Sequence, residues 1–262
     1  MIDVITKQTK HGAVVRKTKG NGKAVVVIPH GGCLVPEEYF AHLNITESFK
    51  RDYDEYAIDI FEALDPSNIS YIVLSDIHRD FVDFNRSPHD EFEKGVLRAV
   101  DFQRKPVLKR AYSPEERRKI ITAIYNPFHN CLEDCIEEVK EQQGKVFLLA
   151  GHTMDSVGPK TAPDPGRQRP DLSIGTLDDT LAAMEYIVPF EEAIRDMAKQ
   201  VGLTVAKNTP YSGGGYITKK YGRPEYSYHT IQLEVNKDTC ADIGKRKAIK
   251  KIIDKVLSEL PL

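Results

Sequence analysis

Three polar residues in this chain are of types suited to metal-assisted hydrolysis. His30 follows the apolar run Ala24–Ile28, His152 follows the apolar run 146–150, and Glu234 lies near the end of the β-rich segment 229–235. Asp54 is a fourth candidate, near the start of a helical stripe whose apolar positions follow it at helical offsets. Two histidines and one carboxylate are a usual catalytic zinc set and leave a coordination position open for water. Such a metal lowers the pKa of its water to about 7 and polarises a carbonyl. A further carboxylate can then act as general base and later return the proton to a leaving amine. These residues are far apart in the chain, so their spacing alone is a weak signal. A lone histidine after a strand is more often a hydrogen-bonded structural residue, but two after separate strands make a shared metal about as good an account.

Arg86 closes the run Asp83-Phe84-Asn85-Arg86. An arginine on a loop at a sheet edge is suited to a bidentate grip on a carboxylate, although a surface salt bridge is the commoner fate. Arg79 is a second, weaker candidate for the same task. Ser212-Gly213-Gly214-Gly215-Tyr216 offers backbone N–H groups without side-chain obstruction, which suits close approach to a substrate or a lid. No Gly-Lys-Ser/Thr follows it, so it is not a phosphate loop. Cys131 and Cys135 are four apart in a helical pattern and read as buried apolar positions rather than a metal half-site. With Cys33 and Cys240 they complete no zinc ribbon.

These groups need elements to position them. Ala24–Ile28 is β-branched in four of its five residues and lies between Gly20-Asn21-Gly22 and Pro29, the pattern of a strand buried on both faces. Segment 48–64 carries a helical apolar stripe, and Ile69–Leu74 reads as the next strand. Segment 114–140 predicts a long helix or helix pair. It opens on Ser113-Pro114-Glu115-Glu116, a cap followed by proline and acids near the positive end, and Gly144 ends it. A strand is expected over 146–150, then a functional surface loop over 155–176, too long for a simple connector. A helix over 178–201, a short strand over 203–206, a Gly-rich loop over 211–222, a strand over 229–235 and a last amphipathic helix over 245–260 complete the pattern. Strands alternating with helices predict an α/β fold, three layers deep, with a mostly parallel sheet. Ligands of such sheets gather at the carboxyl ends of the strands. Residues 1–262 show no repeat or linker, so one domain is the simplest account.

Composition narrows the function classes. The 37 lysines and arginines are balanced by 39 aspartates and glutamates, for a net charge of -2. Bulk attraction to nucleic acid or to a membrane is therefore not expected. No apolar stretch reaches transmembrane length, and residues 1–10 contain no secretory h-region, so a cytoplasmic protein is the expectation. A chain of 262 residues can bury a substantial core without disulfides.

Taken in order, the segments resemble the N-formylglutamate amidohydrolase (deformylase) family. The matching pieces are Ile28-Pro29-His30-Gly31-Gly32 with Pro36, the run from Arg79 to Arg86, and Tyr125-Asn126-Pro127-Phe128-His129. Further along come His152 with Ser156, the run from Asp171 to Thr176, the run from Gly213 to Thr218 with Tyr221-Gly222-Arg223-Pro224, and Gln232-Leu233-Glu234. The resemblance implies the three-layer fold of zinc exopeptidases, one zinc ion per chain, and hydrolysis of the amide of an N-acyl amino acid such as N-formyl-L-glutamate in amino-acid catabolism. It implies His30, Asp54 and His152 as metal ligands, with Asp52 or Glu55 as alternatives to Asp54. Glu234 is then the catalytic carboxylate, and Arg86, supported by Asn85, binds the substrate carboxylate; the residue types themselves add Arg79 and Gly214 as further candidates for substrate contact. His129 either lines the pocket or is structural. A metal-dependent peptidase, a cell-wall-type amidase and a non-catalytic carboxylate-binding relative are the rival readings. One departure stands out: where the family has Asp-x-His-Ser, this chain has Ala150-Gly151-His152-Thr153, and so lacks one acid that would orient the second histidine.

Overall fold

The computed structural model describes residues 4–9, 12–90 and 95–262. One mixed sheet of eight strands runs through it, in the order β1-β2-β4-β3-β5-β8-β6-β7. The strands are β1 (Val4–Thr9), β2 (Gly12–Lys19), β3 (Ala24–Ile28), β4 (Ile69–Leu74), β5 (Val146–Met154), β6 (Leu172–Gly175), β7 (Val205–Lys207) and β8 (Tyr228–Asn236). The centre, β4-β3-β5-β8, is parallel. β1, β2 and β6 enter through antiparallel pairings.

Helices cover both faces, and the two-residue period of the strands decides which side chains meet which layer. Ala24, Val26 and Ile28 of β3 join Phe147 and Leu149 of β5 and Ile231, Leu233 and Val235 of β8 in one apolar cluster. That cluster also holds residues of α1 (Ala57–Phe61), α4 (Met184–Gln200) and α7 (Ile243–Glu259). Val25 and Val27 join Val146, Leu148 and Ala150 in a second cluster against α2 (Pro114–Ile120) and α3 (Asn126–Gln143). The expected three-layer α/β architecture is thus present. Two short helices, α5 (Tyr216–Tyr221) and α6 (Lys237–Ala241), flank the carboxyl end of the sheet.

Several local expectations need correction. β1 and β2 carry no strong strand signal and were not anticipated. Segment 48–64 is not one helix: only Ala57–Phe61 is α-helical, because Tyr56 takes a left-handed φ of 68° and the Asp54 N–H donates to His30 O rather than along its own segment. The expected loop 155–176 ends in a fully buried strand, β6, paired to β8. The helix expected from 178 begins only at Met184, since Leu177, Asp178 and Asp179 have φ values of 50°, 53° and 65°. The strand expected over 203–206 is instead Val205–Lys207, and the loop expected over 211–222 closes on α5. The 114–140 pattern is a helix pair joined by a π-turn at Ile121–Tyr125, and Ser113 and Glu116 form the capping box that starts it. Cys131 and Cys135 are buried in the apolar core and form no disulfide, as expected of apolar positions.

β5 also runs further than the apolar pattern shows. It continues through Gly151 and His152 to Met154, so His152 lies inside a strand rather than after one. Gly151 is required there because a Cβ would lie 2.7 Å from the ring of Phe61, which is fully buried. A packed ring cannot retreat, and overpacking of this kind costs about 1–3 kcal/mol. Gly151→Ala is expected to lower the urea unfolding free energy by that amount; an unchanged midpoint would show that the ring has room to move.

Candidate active site

Three adjacent parallel strands build the site at their carboxyl ends. His30 leaves the end of β3, His152 sits in β5 and Glu234 in β8, with His152 and Glu234 directly in register. Because the strands are parallel and in register, both side chains emerge on the same face. It is the face opposite to that of Ile231, Leu233 and Val235. Gln232, two residues back, shares this face and donates from Nε2 to Glu234 Oε1 at 2.9 Å.

Asp54 reaches the same point from the turn before α1. Its Oδ2 lies 2.8 Å from His152 Nδ1 and 3.7 Å from His30 Nδ1, and its Oδ1 accepts from Arg79 Nη1 at 3.2 Å. His30, Asp54 and His152 each offer a ligand atom, all within 4.8 Å of one another and all buried. Asp52 does not join them: its carboxylate accepts from Phe102 N at 2.5 Å and from Ser48. Glu55 is exposed, so of the three acids proximity singles out Asp54.

A second layer of charge holds these groups. His30 Nε2 lies 2.7 Å from Asp83 Oδ1, which turns His30 Nδ1 toward Asp54 and leaves that nitrogen buried without a hydrogen bond. Asp83 is fully buried and shared with Arg79 at 3.4 Å, Arg86 at 3.5 Å and Arg98 at 3.8 Å. Burial pushes the Asp83 and Asp54 carboxyls up. Their histidine and arginine neighbours outweigh it, and both sit well below the usual carboxylate range. Glu234 goes the other way: burial pushes it up to about 7, against the pull of His152 and with the repulsion of Asp54. His152 Nε2 is buried and has no hydrogen-bond partner among the described residues.

The cluster opens into a cleft of about 500 Å³. Asn85, Arg86, Gly213, Gly214 and Gly215 form one part of its wall. Asn85 is fixed at both ends: its N–H donates to Asp83 Oδ1 at 3.0 Å, and its own Oδ1 accepts from Ile217 N at 3.0 Å. Gly215 is packed on it so closely that a Cβ would come within 2.5 Å of the amide. The Arg86 side chain remains 42% exposed in the cleft, whereas Arg79 is committed to Asp54 and Asp83. His129 lies outside the cleft lining; it is buried beside Phe84 O at 2.9 Å and is structural. Sequence reasoning missed Asp83 as the partner of His30, although it lies in the run that was singled out. It also missed Arg98, Arg169, Tyr211 and Lys237, scattered polar residues that only folding brings to one cleft.

Two imidazoles and a carboxylate gathered at the carboxyl ends of parallel strands are a group able to hold a metal ion, the layout of a hydrolase cleft. The comparisons agree. The N-formylglutamate amidohydrolase family model matches residues 22–241, and this chain belongs to that family of amide hydrolases. N-formylglutamate deformylase of Pseudomonas aeruginosa is 25% identical over 236 residues, covering 86% of this chain and 84% of that protein. N-formylglutamate deformylase of Pseudomonas putida is 27% identical over 175 residues, and the match spans 63% of its length. Among solved structures, N-formylglutamate amidohydrolase from Ralstonia eutropha JMP134 superposes with a TM-score of 0.78 at 19% identity, covering 94% of this chain and 97% of that one. A gene product from Agrobacterium tumefaciens gives 0.77 at 20% identity, with 98% of each chain covered. At those identities the superpositions show the fold.

Arg79 is the hinge of this charge network. Removing it strands two buried carboxylates, and breaking a buried pair costs about 3–5 kcal/mol. Arg79→Ala is therefore expected to lose at least about 3 kcal/mol of unfolding free energy in urea; a loss below about 1 kcal/mol would mean that Arg98 and Arg86 already satisfy Asp83.

Proposed function

We propose that this chain hydrolyses the amide of an N-acyl amino acid, N-formyl-L-glutamate being the parent case, with one zinc ion held by His30, Asp54 and His152. The observation that carries this is the convergence of those three ligand-bearing residues beside Glu234 in a cleft that presents Arg86. Both curated relatives are N-formylglutamate deformylases, which supports the reading. The donor set fits zinc because two imidazoles and one carboxylate are a recurrent catalytic ligand group for it. The unbonded Nδ1 of His30 is a buried polar atom that a metal would satisfy. When bound, zinc supplies Lewis acidity and lowers the pKa of a water at the centre to about 7.

The chain's own residues do the rest. Asp83 fixes the ring of His30, and Arg79 fixes the carboxylate of Asp54. Arg86, on the loop held by Asn85, binds the α-carboxylate of the substrate and so places the amide between Arg86 and Glu234. Gly213, Gly214 and Gly215 let the backbone approach the substrate. Glu234 takes one proton from the attacking water as the oxygen–carbon bond forms at the amide carbonyl. It returns that proton to the amide nitrogen as the carbon–nitrogen bond breaks, leaving a carboxylic acid and a free amino acid. A carboxyl raised to about 7 suits both transfers near neutral pH.

Stripping metal with a chelator should abolish hydrolysis of N-formyl-L-glutamate, and zinc should restore it at one equivalent per chain. His30→Ala is expected to bind less than about a tenth of an equivalent under the same loading. Full activity in metal-free protein would refute the proposal. Glu234→Gln separates the two roles: zinc content stays at one per chain while kcat falls by about 10²- to 10⁴-fold. A kcat within about threefold of the wild type would remove Glu234 from the proton transfers.

A further inference from the structure

An N-acyl amino acid extends in two directions from its scissile bond. With its α-carboxylate on Arg86, the amine half occupies the wall made by Asn85, Arg86 and the 213–215 glycines. The acyl half must then lie along the rest of the cleft. Val100, Phe102, Met154, Pro159, Ala162 and Pro163 supply apolar lining there, beside Arg98, Arg104 and Thr161. Formyl is a single carbon with nothing to bury, yet the cleft of about 500 Å³ lies in the roughly 300–1,000 Å³ range that encloses drug-sized ligands.

The second wall is preformed. Phe102 is held by its N–H, which donates to Asp52 Oδ2 at 2.5 Å. Its ring lies under the guanidinium groups of Arg79 and Arg98, at 5.0 and 5.1 Å. Thr161 Oγ1 donates to Phe102 O at 3.4 Å, which ties segment 159–163 to segment 100–104. Arg169 anchors the far end of the same loop through Asp164 at 2.7 Å and Tyr211 at 3.1 Å. Val100, Phe102 and Ala162 nevertheless stay only half-buried in the cleft lining. Apolar surface of this kind inside a binding cleft marks a ligand contact.

We infer that Val100, Phe102, Met154, Pro159, Ala162 and Pro163 form an acyl subsite, and that the enzyme takes N-acyl amino acids whose acyl chain has several carbons. This rests on the amidohydrolase reading above and adds the acyl class of its substrate. The test uses N-formyl-, N-butyryl- and N-hexanoyl-L-glutamate with the zinc-loaded enzyme, and calorimetric titration of the metal-stripped protein with the same three compounds. Wild type should hydrolyse N-hexanoyl-L-glutamate with a kcat/KM at least equal to that for the formyl compound. The metal-stripped protein should bind the hexanoyl compound about tenfold tighter. Ala162→Trp fills the subsite. It should cut hexanoyl kcat/KM and affinity by about tenfold or more and leave the formyl values within about twofold. Val100→Trp, on the other segment, should reproduce this pattern if the first variant does not fold. Hydrolysis of the formyl compound with no turnover of the longer ones overturns the subsite and leaves the amidohydrolase reading intact. Equal losses on all three substrates in the folded variants also overturn it. No turnover of any compound overturns both.

Discussion

The carboxylate of Asp54 is fully enclosed and still charged, and much of the structure around the site follows from that. A buried charge is tolerated only when it is paired and hydrogen-bonded. Asp54 therefore has His152 and Arg79 within hydrogen-bond reach and His30 Nδ1 at 3.7 Å, from three different parts of the chain. Arg79 in turn needs Asp83, and Asp83 turns the ring of His30. The result is a closed set of opposite charges in which each group fixes the orientation of the next. Such a set adds little net stability relative to an apolar core of the same volume, but losing one member is costly. What it secures is geometry: two imidazoles and a carboxylate gathered in a small volume.

Glu234 stands beside this set but outside it. It has Gln232 as a hydrogen-bond donor and, among the described residues, no ion pair with an arginine, so burial outweighs the pull of His152, Arg79 and Arg169 and raises it while Asp54 falls. Two buried carboxylates at one site thus acquire opposite tendencies from their surroundings, one lowered and the other raised. The sheet makes this possible. His152 and Glu234 are register partners on neighbouring parallel strands, and a slip of one residue would send either side chain into the apolar layer of α4 and α7. The close packing of Gly151 on Phe61 helps hold that register.

Some of this was legible in the chain itself. The β-branched run of β3 and its following His30 stood out because a strand buried on both faces needs an unbroken apolar stretch. The capping box at Ser113 and Glu116 was equally plain, since its signal is local. The ordered motifs pointed to the family and to Glu234. The break at Tyr56 was not legible, because the hydrogen bond that draws Asp54 away from a helix goes to His30, 24 residues earlier. β2 was hidden for a similar reason. Its eight residues carry only one short apolar run, Ala13 to Val15, and its place is set by pairing with β4.

The sequence by itself determined the α/β class, the two apolar layers of the central strands and the residue types of a hydrolytic centre. These rest on short-range periodicity and on the chemistry of single side chains, both of which survive in a linear string. Tertiary structure alone decided that Asp54 rather than Asp52 or Glu55 meets the two histidines. It also decided that Asp83 orients His30, that Arg79 pairs with Asp54 and Asp83 while Arg86 stays exposed, and that segments 100–104 and 159–163 meet in one cleft. Each of those is a contact between segments tens of residues apart, set by strand register and by the pairing of buried charge, and neither leaves a trace in local sequence.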